Sequence, residues 1–333
     1  MCVVYLLSKG SHAKKDGGRL VIEKEGSVEA SLPLLQVHHV VVGSGANIST
    51  PLLFFLIENH AEISFVDFHG KVLAGICGNR ISWQRTKQQM DLFFDRQARL
   101  ELIHTFLGEK LANQCKLLKY YAKIKKDQEV SFLADEIHFF QKKLLAESDE
   151  EVIRGLEGIS SKKYFSAFPF LLNSHWEWNG RNRKPPRDPV NSLLSYGYAF
   201  LEREVRTAIA GNGLDERFGF FHSNNGKKDS LVYDFMELFR QPIIDKFVIK
   251  LLNLNIFAET DFVQEEEDAK GCHLSKKKQK LWISKYEEYM ETENQYLNGC
   301  TPRKYIQNKT QEAAVAILSS NQKTETESED RES

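Results

Sequence analysis

The spacing of apolar residues changes near Arg85, and this change constrains the possible fold more than any other feature of the chain. Before it, short apolar runs such as VVYLL and LLQVHHVVV alternate with turn signals, a pattern typical of β-strands. After it, long stretches carry apolar residues at helical spacing, with few Gly or Pro. The sequence therefore predicts an α+β fold, with a small N-terminal β-rich domain followed by a larger, mainly α-helical domain.

The same pattern gives the expected domain boundaries. We expect the β-rich domain to span residues 1–85, including one helix at ISTPLLFFLIENH, where Pro51 suits a first turn. The helical domain is expected to span residues 86–320, with an interruption at 175–189, where HWEWNGRNRKPPRDP carries three prolines. Residues 321–333 are polar and acidic and lack apolar anchors, which predicts a disordered tail.

Composition is typical of a globular protein. Of the 333 residues, 41% are hydrophobic and 27% are charged. No apolar run approaches the roughly 20 residues that a membrane span needs. The opening MCVVYLLSKG has neither basic residues before its apolar stretch nor a small-residue cleavage site after it, so it predicts a first strand rather than a signal peptide. We therefore expect a soluble, cytoplasmic protein.

The cysteines argue against a zinc ribbon and against a disulfide framework. Cys2, Cys77, Cys115, Cys272 and Cys300 are odd in number and form no C-x-x-C pair. Buried free thiols are the expectation.

Charge is concentrated in local patches. The formal net charge is −1, so any nucleic-acid binding must depend on local basic segments rather than on bulk charge. Three such segments lie at residues 116–126, 181–187 and 270–280. A single lysine-rich run is more often a solvated helix face than a binding site.

A histidine and two carboxylates lie close together in the sequence. In DSLVYDFMELF, Asp234 and Glu237 share one face of a predicted helix, and His222 precedes it in GFFH, which is interpreted as a strand. Imidazole and carboxylates together suit Mn²⁺ or Mg²⁺ better than a structural zinc ion. A lone D-x-x-E pair is more often a solvated face, but the apolar flanks and the nearby histidine favour a metal site here.

Glu157 is a further candidate. It lies between two glycines in R-G-L-E-G, where the missing side chains let a ligand or another backbone approach. Spacing alone makes this a weak signal. Other chemistries lack their signatures: the chain has no phosphate-binding G-x-x-x-x-G-K-[ST], no complete dinucleotide fingerprint, no G-x-S-x-G and no H-E-x-x-H.

Four blocks together give the chain a family likeness. The sequence resembles the CRISPR-associated endonuclease and integrase, the larger (first) subunit of the spacer-acquisition complex of prokaryotic antiviral defence. The resemblance covers about residues 35–250. Its blocks are HHVVVGSGANISTPLLFFLIENHAEISFVDFHGKVLAG, IRGLEG followed by Tyr164, NSLLSYGYAFLEREVRTAIAGNGLDERFGFFH, and SLVYDFMELFRQPIID.

The resemblance implies an active site and a reaction. It implies that Glu157, His222 and Glu237 bind Mg²⁺ or Mn²⁺, and that Asp234 is a neighbouring acid of the catalytic set. The implied reaction is the insertion of short DNA fragments into a CRISPR repeat array by attack of a 3′-hydroxyl, with DNA cleavage when water attacks instead. No ATP is needed, because one phosphodiester replaces another.

The resemblance also implies partners. They are DNA, a second copy of the chain bound through residues 1–85, and a small ferredoxin-like second subunit, all in the prokaryotic cytoplasm. Within the loop at 175–189, six residues suit DNA: tryptophans could stack on bases and basic groups could contact phosphates. These candidates are Trp176, Trp178, Arg181, Arg183, Lys184 and Arg187.

Some features depart from the family pattern. Glu216 follows Asp215 where the family often has proline, and the interval containing Lys227 and Lys228 is about one residue longer. The C-terminal third matches no block, so the CRISPR subtype stays open. Two alternatives remain: a DNA-binding scaffold without catalysis, in which the acidic cluster is only a core feature, and a recombinase-like strand exchange through Tyr164.

Overall fold

The N-terminal part of the chain consists of short strands and one helix. The computed structural model describes residues 2–67, 70–76, 83–222, 229–264 and 271–319. Cys77, the Lys227–Lys228 pair and the predicted tail therefore lie outside the described residues. The N-terminal elements are β1 (Cys2–Leu6), β2 (Ser11–Asp16), β3 (Arg19–Lys24), β4 (Ser27–Pro33), β5 (Val37–Gly43), β6 (Asn47–Ile48), α1 (Thr50–Glu58), β7 (Glu62–Val66) and β8 (Val72–Ile76).

These strands form two four-stranded sheets. One has the order β1-β5-β7-β8, with β1, β5 and β7 parallel and β8 antiparallel, and the other has the order β4-β3-β2-β6. Val40, Leu52 and Ile63 are buried in the core of this domain. The valines of LLQVHHVVV are thus covered within the chain itself, while Leu35 and Leu73 remain exposed. Exposed apolar residues of this domain, among them also Val28 and Phe54, are available for a second copy to cover.

The C-terminal part is mainly helical. Its helices are α2 (Trp83–Phe94), α3 (Arg96–Lys125), α4 (Gln128–Leu145), α5 (Glu150–Ser166), α6 (Phe168–Leu171), α7 (Pro189–Gly211), α8 (Ser230–Phe239), α9 (Lys246–Asn253), α10 (Lys276–Glu291) and α11 (Pro302–Ser319). A π-helical turn, Arg240–Asp245, connects α8 to α9, and the short strands β9 (Phe262–Gln264) and β10 (Cys272–Leu274) precede α10. The predicted α+β class and its order, strands first and helices second, are confirmed. The predicted domain boundaries remain a prediction.

Aspartate caps fix the starts of three successive helices. The carboxylates of Asp95, Asp127 and Asp149 each accept hydrogen bonds from backbone N–H groups in the first turns of α3, α4 and α5. Each cap of this kind contributes about 1 kcal/mol. Because α5 carries Glu157, the last of these caps also fixes where that side chain can lie.

Helix α8 is almost completely buried. Every residue of α8 except Tyr233 is buried, including the two acids, Asp234 and Glu237. Asn113 on α3 donates a hydrogen bond of 3.0 Å to the carbonyl of Leu238, which fixes α8 against the long helix. Buried carboxylates are costly unless they are paired. The partners of these two acids therefore define the candidate site.

Two further predictions concern the whole chain. Cys2, Cys115, Cys272 and Cys300 are free thiols, and two of them are buried. Within the described ranges, none of the helices is both long and apolar enough to cross a lipid bilayer.

Candidate active site

Glu157 and Glu237 meet at a single lysine. Lys110, in the middle of α3, places its Nζ against Glu157 Oε1 and 2.7 Å from Glu237 Oε2. Glu157 comes from α5 and Glu237 from α8, so three helices converge on one ammonium group. Ser161, one turn after Glu157 on α5, donates a hydrogen bond of 2.8 Å to Glu157 Oε1. The two acids that the sequence separates by 80 positions thus share one cation.

The charges at this point are buried and mutually dependent. Burial alone would raise the pKa of Glu237, but the positive charges of Lys110 and Arg240 outweigh it and lower that pKa to about 2. Burial alone would lower the pKa of Lys110, but Glu237 and Glu157 raise it instead. Arg240 Nε donates to Glu237 Oε1 at 3.2 Å. The carboxylate of Glu237 is therefore ionised throughout the neutral pH range.

Asp234 shapes the loop that carries His222. Its Oδ2 accepts the backbone N–H groups of Phe220 at 2.5 Å and Phe221 at 3.2 Å. Its Oδ1 accepts the backbone N–H of His222 at 3.0 Å and lies 2.6 Å from His222 Nδ1. Asp234 is buried, so it orients the imidazole rather than facing a ligand. The interpretation of GFFH as a strand is wrong: residues 219–222 form a loop wound around this carboxylate.

Close packing holds the same loop from two other directions. A Cβ at Gly219 would lie 2.6 Å from the backbone carbon of Ser230 and 2.7 Å from Asp234 Oδ2, so only glycine fits there. Arg154, on α5, donates to the carbonyl of Phe221 at 2.5 Å, and its guanidinium lies 4.4 Å from the centre of the Phe221 ring. The position of His222 is thus set by backbone contacts as well as by Asp234.

A buried hydrogen-bond network of Asp245 and two tyrosines packs against Arg240. Asp245 accepts hydrogen bonds from Tyr164 at 2.8 Å and Tyr198 at 2.6 Å, and burial raises the pKa of Asp245 to about 6. The guanidinium of Arg240 lies 4.5 Å from the centre of the Tyr198 ring. Tyr164 is fully buried, with its hydroxyl directed at Asp245, and burial raises its pKa well above the ordinary value. A tyrosine nucleophile for strand exchange therefore finds no support.

The donor set fits Mg²⁺ or Mn²⁺. No three His, Cys, Asp or Glu side chains among the described residues are already arranged around a common ion position. Instead, the Lys110 ammonium stands between Glu157 and Glu237. Carboxylate oxygens and one imidazole are suitable donors for these hard ions. Because Asp234 holds His222 Nδ1, Nε2 would be the ligating nitrogen.

The surface of α5 is open at the two glycines near Glu157 in sequence. Among the described residues, no atom outside the helix lies within 4 Å of a Cβ built at Gly155 or Gly158. These two glycines flank Glu157 on α5. The predicted close approach at R-G-L-E-G is therefore not used by another part of the described protein.

The predicted DNA-binding loop divides into buried and exposed residues. Trp176 is 5% exposed and donates its indole N–H to the carbonyl of Leu252, so neither face of its ring is available to a base. Trp178 is partly buried and stacks on Phe168, with ring centres 4.7 Å apart. Arg181 is also turned inward, towards Asn191.

The remaining three candidates of the loop are at the surface. Arg183, Lys184 and Arg187 are exposed, and they remain the predicted phosphate contacts. Of the six residues predicted to contact DNA, three basic ones are therefore exposed, and Trp178 is partly accessible.

Three functional candidates were missed by the sequence interpretation: Lys110, Arg240 and Asp245. A signal for Lys110 exists, because it lies on the same face of α3 as Phe106 and Leu117, which are buried. A lysine on an apolar helix face needs a buried partner. No comparable signal marks Arg240 or Asp245, whose roles depend on the π-helical turn.

Curated relatives of this chain are CRISPR-associated endonucleases. The chain is 30% identical over 285 residues to CRISPR-associated endonuclease Cas1 1 of Thermus thermophilus, which covers 86% of this chain and 85% of that protein. It is 26% identical over 306 residues to CRISPR-associated endonuclease Cas1 1 of Archaeoglobus fulgidus, covering 86% and 88%. A CRISPR-associated exonuclease Cas4/endonuclease Cas1 fusion of Geobacter sulfurreducens is 31% identical over 305 residues, and this chain spans 53% of it.

Solved structures with the same fold include two close matches in shape. A CAS1 protein from Thermotoga maritima has a TM-score of 0.80 at 23% identity, covering 96% of this chain and 97% of that one. A casposase bound to integration product has a TM-score of 0.82 at 24% identity, covering 96% and 91%. The family model described as CRISPR associated protein Cas1 matches residues 4–288, which contain every candidate ligand named above. This chain belongs to the CRISPR associated protein Cas1 family.

Proposed function

We propose that this chain is a divalent-metal-dependent DNA endonuclease and integrase that inserts short DNA fragments into a CRISPR repeat array. The observation that carries the proposal is the shared cation position between Glu157 and Glu237, beside a histidine that Asp234 orients. The names of the relatives favour a nuclease, and similar solved structures are a casposase bound to integration product and a Cas1–DNA complex. DNA is therefore the substrate that we propose.

The proposed ligands are Glu157, His222 and Glu237. A bound Mg²⁺ or Mn²⁺ would polarise the phosphodiester and help to activate the attacking hydroxyl. Asp234 would hold His222 with Nε2 forward, and Arg240 would keep Glu237 in place and ionised. The three ligands would come from three separate elements and would converge on one ion when it binds.

The proposed reaction is a transesterification. The 3′-hydroxyl oxygen of the incoming fragment forms a new bond to phosphorus, the bridging oxygen of the target strand leaves, and the hydroxyl proton balances the new 3′-hydroxyl. The number of phosphodiester bonds is unchanged, so no ATP is consumed. With water as the attacking group, the same arrangement gives hydrolysis and hence endonuclease activity.

We also propose the partners that this reaction needs. Each active site joins one 3′ end, and insertion of a double-stranded fragment requires two joinings. A homodimer through residues 1–85 and a small ferredoxin-like second subunit would supply and separate the sites. A similar solved structure is a Cas6-RT-Cas1–Cas2 complex, which supports a partner of this kind. Arg183, Lys184 and Arg187 would contact DNA phosphates without reading sequence.

The test compares two variants of matched chemistry. Glu157→Gln removes a proposed ligand, while Glu136→Gln removes a carboxylate of α4 that pairs with Lys163 at 2.9 Å, away from the site. We expect strand transfer and nicking of a repeat-bearing plasmid by the wild type in Mg²⁺ or Mn²⁺, loss of both in chelator and in Glu157→Gln, and retention in Glu136→Gln.

A scaffold without catalysis would behave differently. Its wild type would bind DNA but neither join nor nick it in any metal, and Glu157→Gln would change only stability. Activity that persisted undiminished in excess chelator would instead exclude the proposed metal site. Circular dichroism and thermal melting of each variant verify that it is folded.

A further inference from the structure

We propose that Lys110 is a tethered cation that holds Glu157 and Glu237 together in the metal-free chain and is displaced when the metal ion binds. This inference rests on the proposed function, in which Glu157, His222 and Glu237 bind a metal ion. It assigns to a lysine of α3 a role that neither the ligand set nor the reaction requires. Lys110 would be a built-in competitor for the metal and the device that keeps the empty site folded.

The first argument is position. The Nζ atom contacts Glu157 Oε1 and lies 2.7 Å from Glu237 Oε2, so it stands between the two acids where a shared ion would stand. A divalent ion such as Mg²⁺ needs its ligand oxygens about 2.0–2.1 Å away. An ion bound to both carboxylates would therefore overlap the place of the ammonium group. The two cations cannot hold the same pair of oxygens at once.

The second argument is charge. Without metal, the two positive charges of Lys110 and Arg240 balance the two negative charges of Glu157 and Glu237. The side chains of Lys110 and Glu237 are only 8% and 9% exposed, so water screens an imbalance poorly. A divalent ion added to this set would leave two positive charges in excess. Moving the ammonium away removes one of them, and a DNA phosphate beside the ion would remove the other.

The third argument is the nature of the side chain. Lysine carries a point charge on a flexible four-carbon stem, so its ammonium can move while the helix backbone stays in place. Arginine, with its planar fork, is the better residue for a permanent buried pair, and Arg240 fills that role on the other side of Glu237. The site thus combines a fixed cation with a movable one.

The experiment uses the full-length chain with Lys110→Met, which keeps the volume and removes the charge. The matched control is Lys163→Met, which breaks the ion pair between α5 and α4, outside the site. Thermal melting in chelator and in Mn²⁺, together with Mn²⁺ binding by calorimetry, gives readouts that do not depend on catalysis.

The expected result follows from a thermodynamic cycle. If Lys110 acts only in the metal-free state, Lys110→Met lowers the melting temperature in chelator by about 5 °C or more and leaves it unchanged at saturating Mn²⁺. Mn²⁺ binding then tightens by about tenfold for each roughly 1.4 kcal/mol of unfolding free energy lost in chelator. We expect at least a tenfold gain in affinity. Lys163→Met should change neither the Mn²⁺ affinity nor the stabilisation that Mn²⁺ produces.

The outcomes separate this inference from the proposed function. Equal Mn²⁺ affinity in Lys110→Met and wild type, with the same loss of stability in both conditions, would overturn the tethered-cation role and leave the proposed metal site intact. Absence of Mn²⁺ binding in both proteins, with or without DNA, would overturn the metal site and this inference together.

A double variant covers the case in which Lys110→Met does not fold in chelator. Lys110→Met combined with Glu157→Gln removes one buried charge of each sign. Recovery of a folded protein in chelator would show that uncompensated charge caused the loss and would support the inference. Failure to recover would show that Lys110 acts by packing and would overturn it.

Discussion

Asp234→Asn is the sharpest test of how the site is built. Each oxygen of Asp234 serves two donors: Oδ2 takes the N–H groups of Phe220 and Phe221, and Oδ1 takes the N–H of His222 and its Nδ1. The asparagine amide replaces one oxygen by a donor, so two hydrogen bonds are lost whichever way it is oriented. A hydrogen bond to a charged group contributes about 1.5–3 kcal/mol, which gives a loss of at least about 3 kcal/mol.

The assays are denaturant unfolding, thermal melting and metal binding. For a domain of this size, about 3 kcal/mol corresponds to a fall in melting temperature of about 6 °C or more. We also expect metal affinity or activity to fall about 10- to 100-fold, because the imidazole loses the group that orients it. Asp229→Asn is the control: Asp229 also lies at the start of α8, but it pairs with Arg206 and is one-third exposed, so its loss should cost less than about 1 kcal/mol.

A single result would refute this reasoning. If Asp234→Asn unfolds at the same denaturant concentration as the wild type and binds Mn²⁺ equally well, Asp234 does not hold the loop of residues 219–222. If stability falls but Mn²⁺ affinity does not, the carboxylate is a structural cap and His222 is oriented by other contacts.

Four further predictions follow from the structure. The pKa of Asp245 is raised to about 6 from 3.8, so its contribution to stability falls as the pH rises through this window, by roughly 3 kcal/mol. Buried His39, whose pKa is lowered to about 3, acts in the opposite direction, so the measurement is the difference in unfolding free energy between wild type and Asp245→Asn from pH 4 to pH 7, which should shrink as the pH rises. Gly219→Ala should lower the melting temperature, because the added carbon would lie 2.6 Å from the backbone of Ser230. Gly158→Ala, where α5 faces open space, should instead stabilise the helix by about 0.5–1 kcal/mol. Equal effects of the two substitutions would contradict the packing argument. We expect the chain to be a homodimer through residues 1–85, and light scattering that gives a monomer at micromolar concentration would exclude this. Finally, insertion of both ends of a labelled fragment should require the small ferredoxin-like partner; efficient two-ended insertion by this chain alone would refute that requirement, while one-ended joining is compatible with it.

The sequence predicted well what depends on local pattern. The change of apolar spacing near Arg85 predicted strands before helices, and the structure has that order because period-2 and period-3.6 patterns bury different faces. The helix predicted around Pro51 begins at Thr50. The loop at 175–189 was predicted from its prolines, and no helix occupies it before α7 begins at Pro189.

Burial within a loop could not be predicted in the same way. Composition suggested that Trp176 and Arg181 face DNA, but both are turned inwards, against Leu252 and Asn191. A loop without periodicity gives no information about which side chains pack on the body of the protein. The strand interpretation of GFFH failed for a related reason: three backbone N–H groups that would otherwise join a sheet are satisfied by one carboxylate, Asp234.

Long-range pairing explains why the sequence identified the acids but not their counter-charge. Lys110 lies 47 positions from Glu157 and meets it only because α3 and α5 pack together. Arg240 is near Glu237 in sequence, yet its guanidinium is fixed by Tyr198, from α7. Each carboxylate could be noticed from its motif, whereas Lys110, the cation that both acids share, belongs to another helix. A search for lysines on otherwise apolar helix faces would have found Lys110.

The two buried acids of α8 differ in their energetics. At position 237, replacing the buried ion pairs by packed apolar groups would often be neutral or stabilising, whereas an apolar residue at position 234 would leave three backbone N–H groups without an acceptor. Here Glu237 is instead held ionised by Lys110 and Arg240, and Asp234 uses all its acceptors to shape one loop. Ions held in this way are already desolvated and oriented before any ligand arrives. The burial of an ionised Glu237 is therefore what the proposed metal site would require, with Lys110 and Arg240 balancing the charges of Glu157 and Glu237 in the metal-free chain.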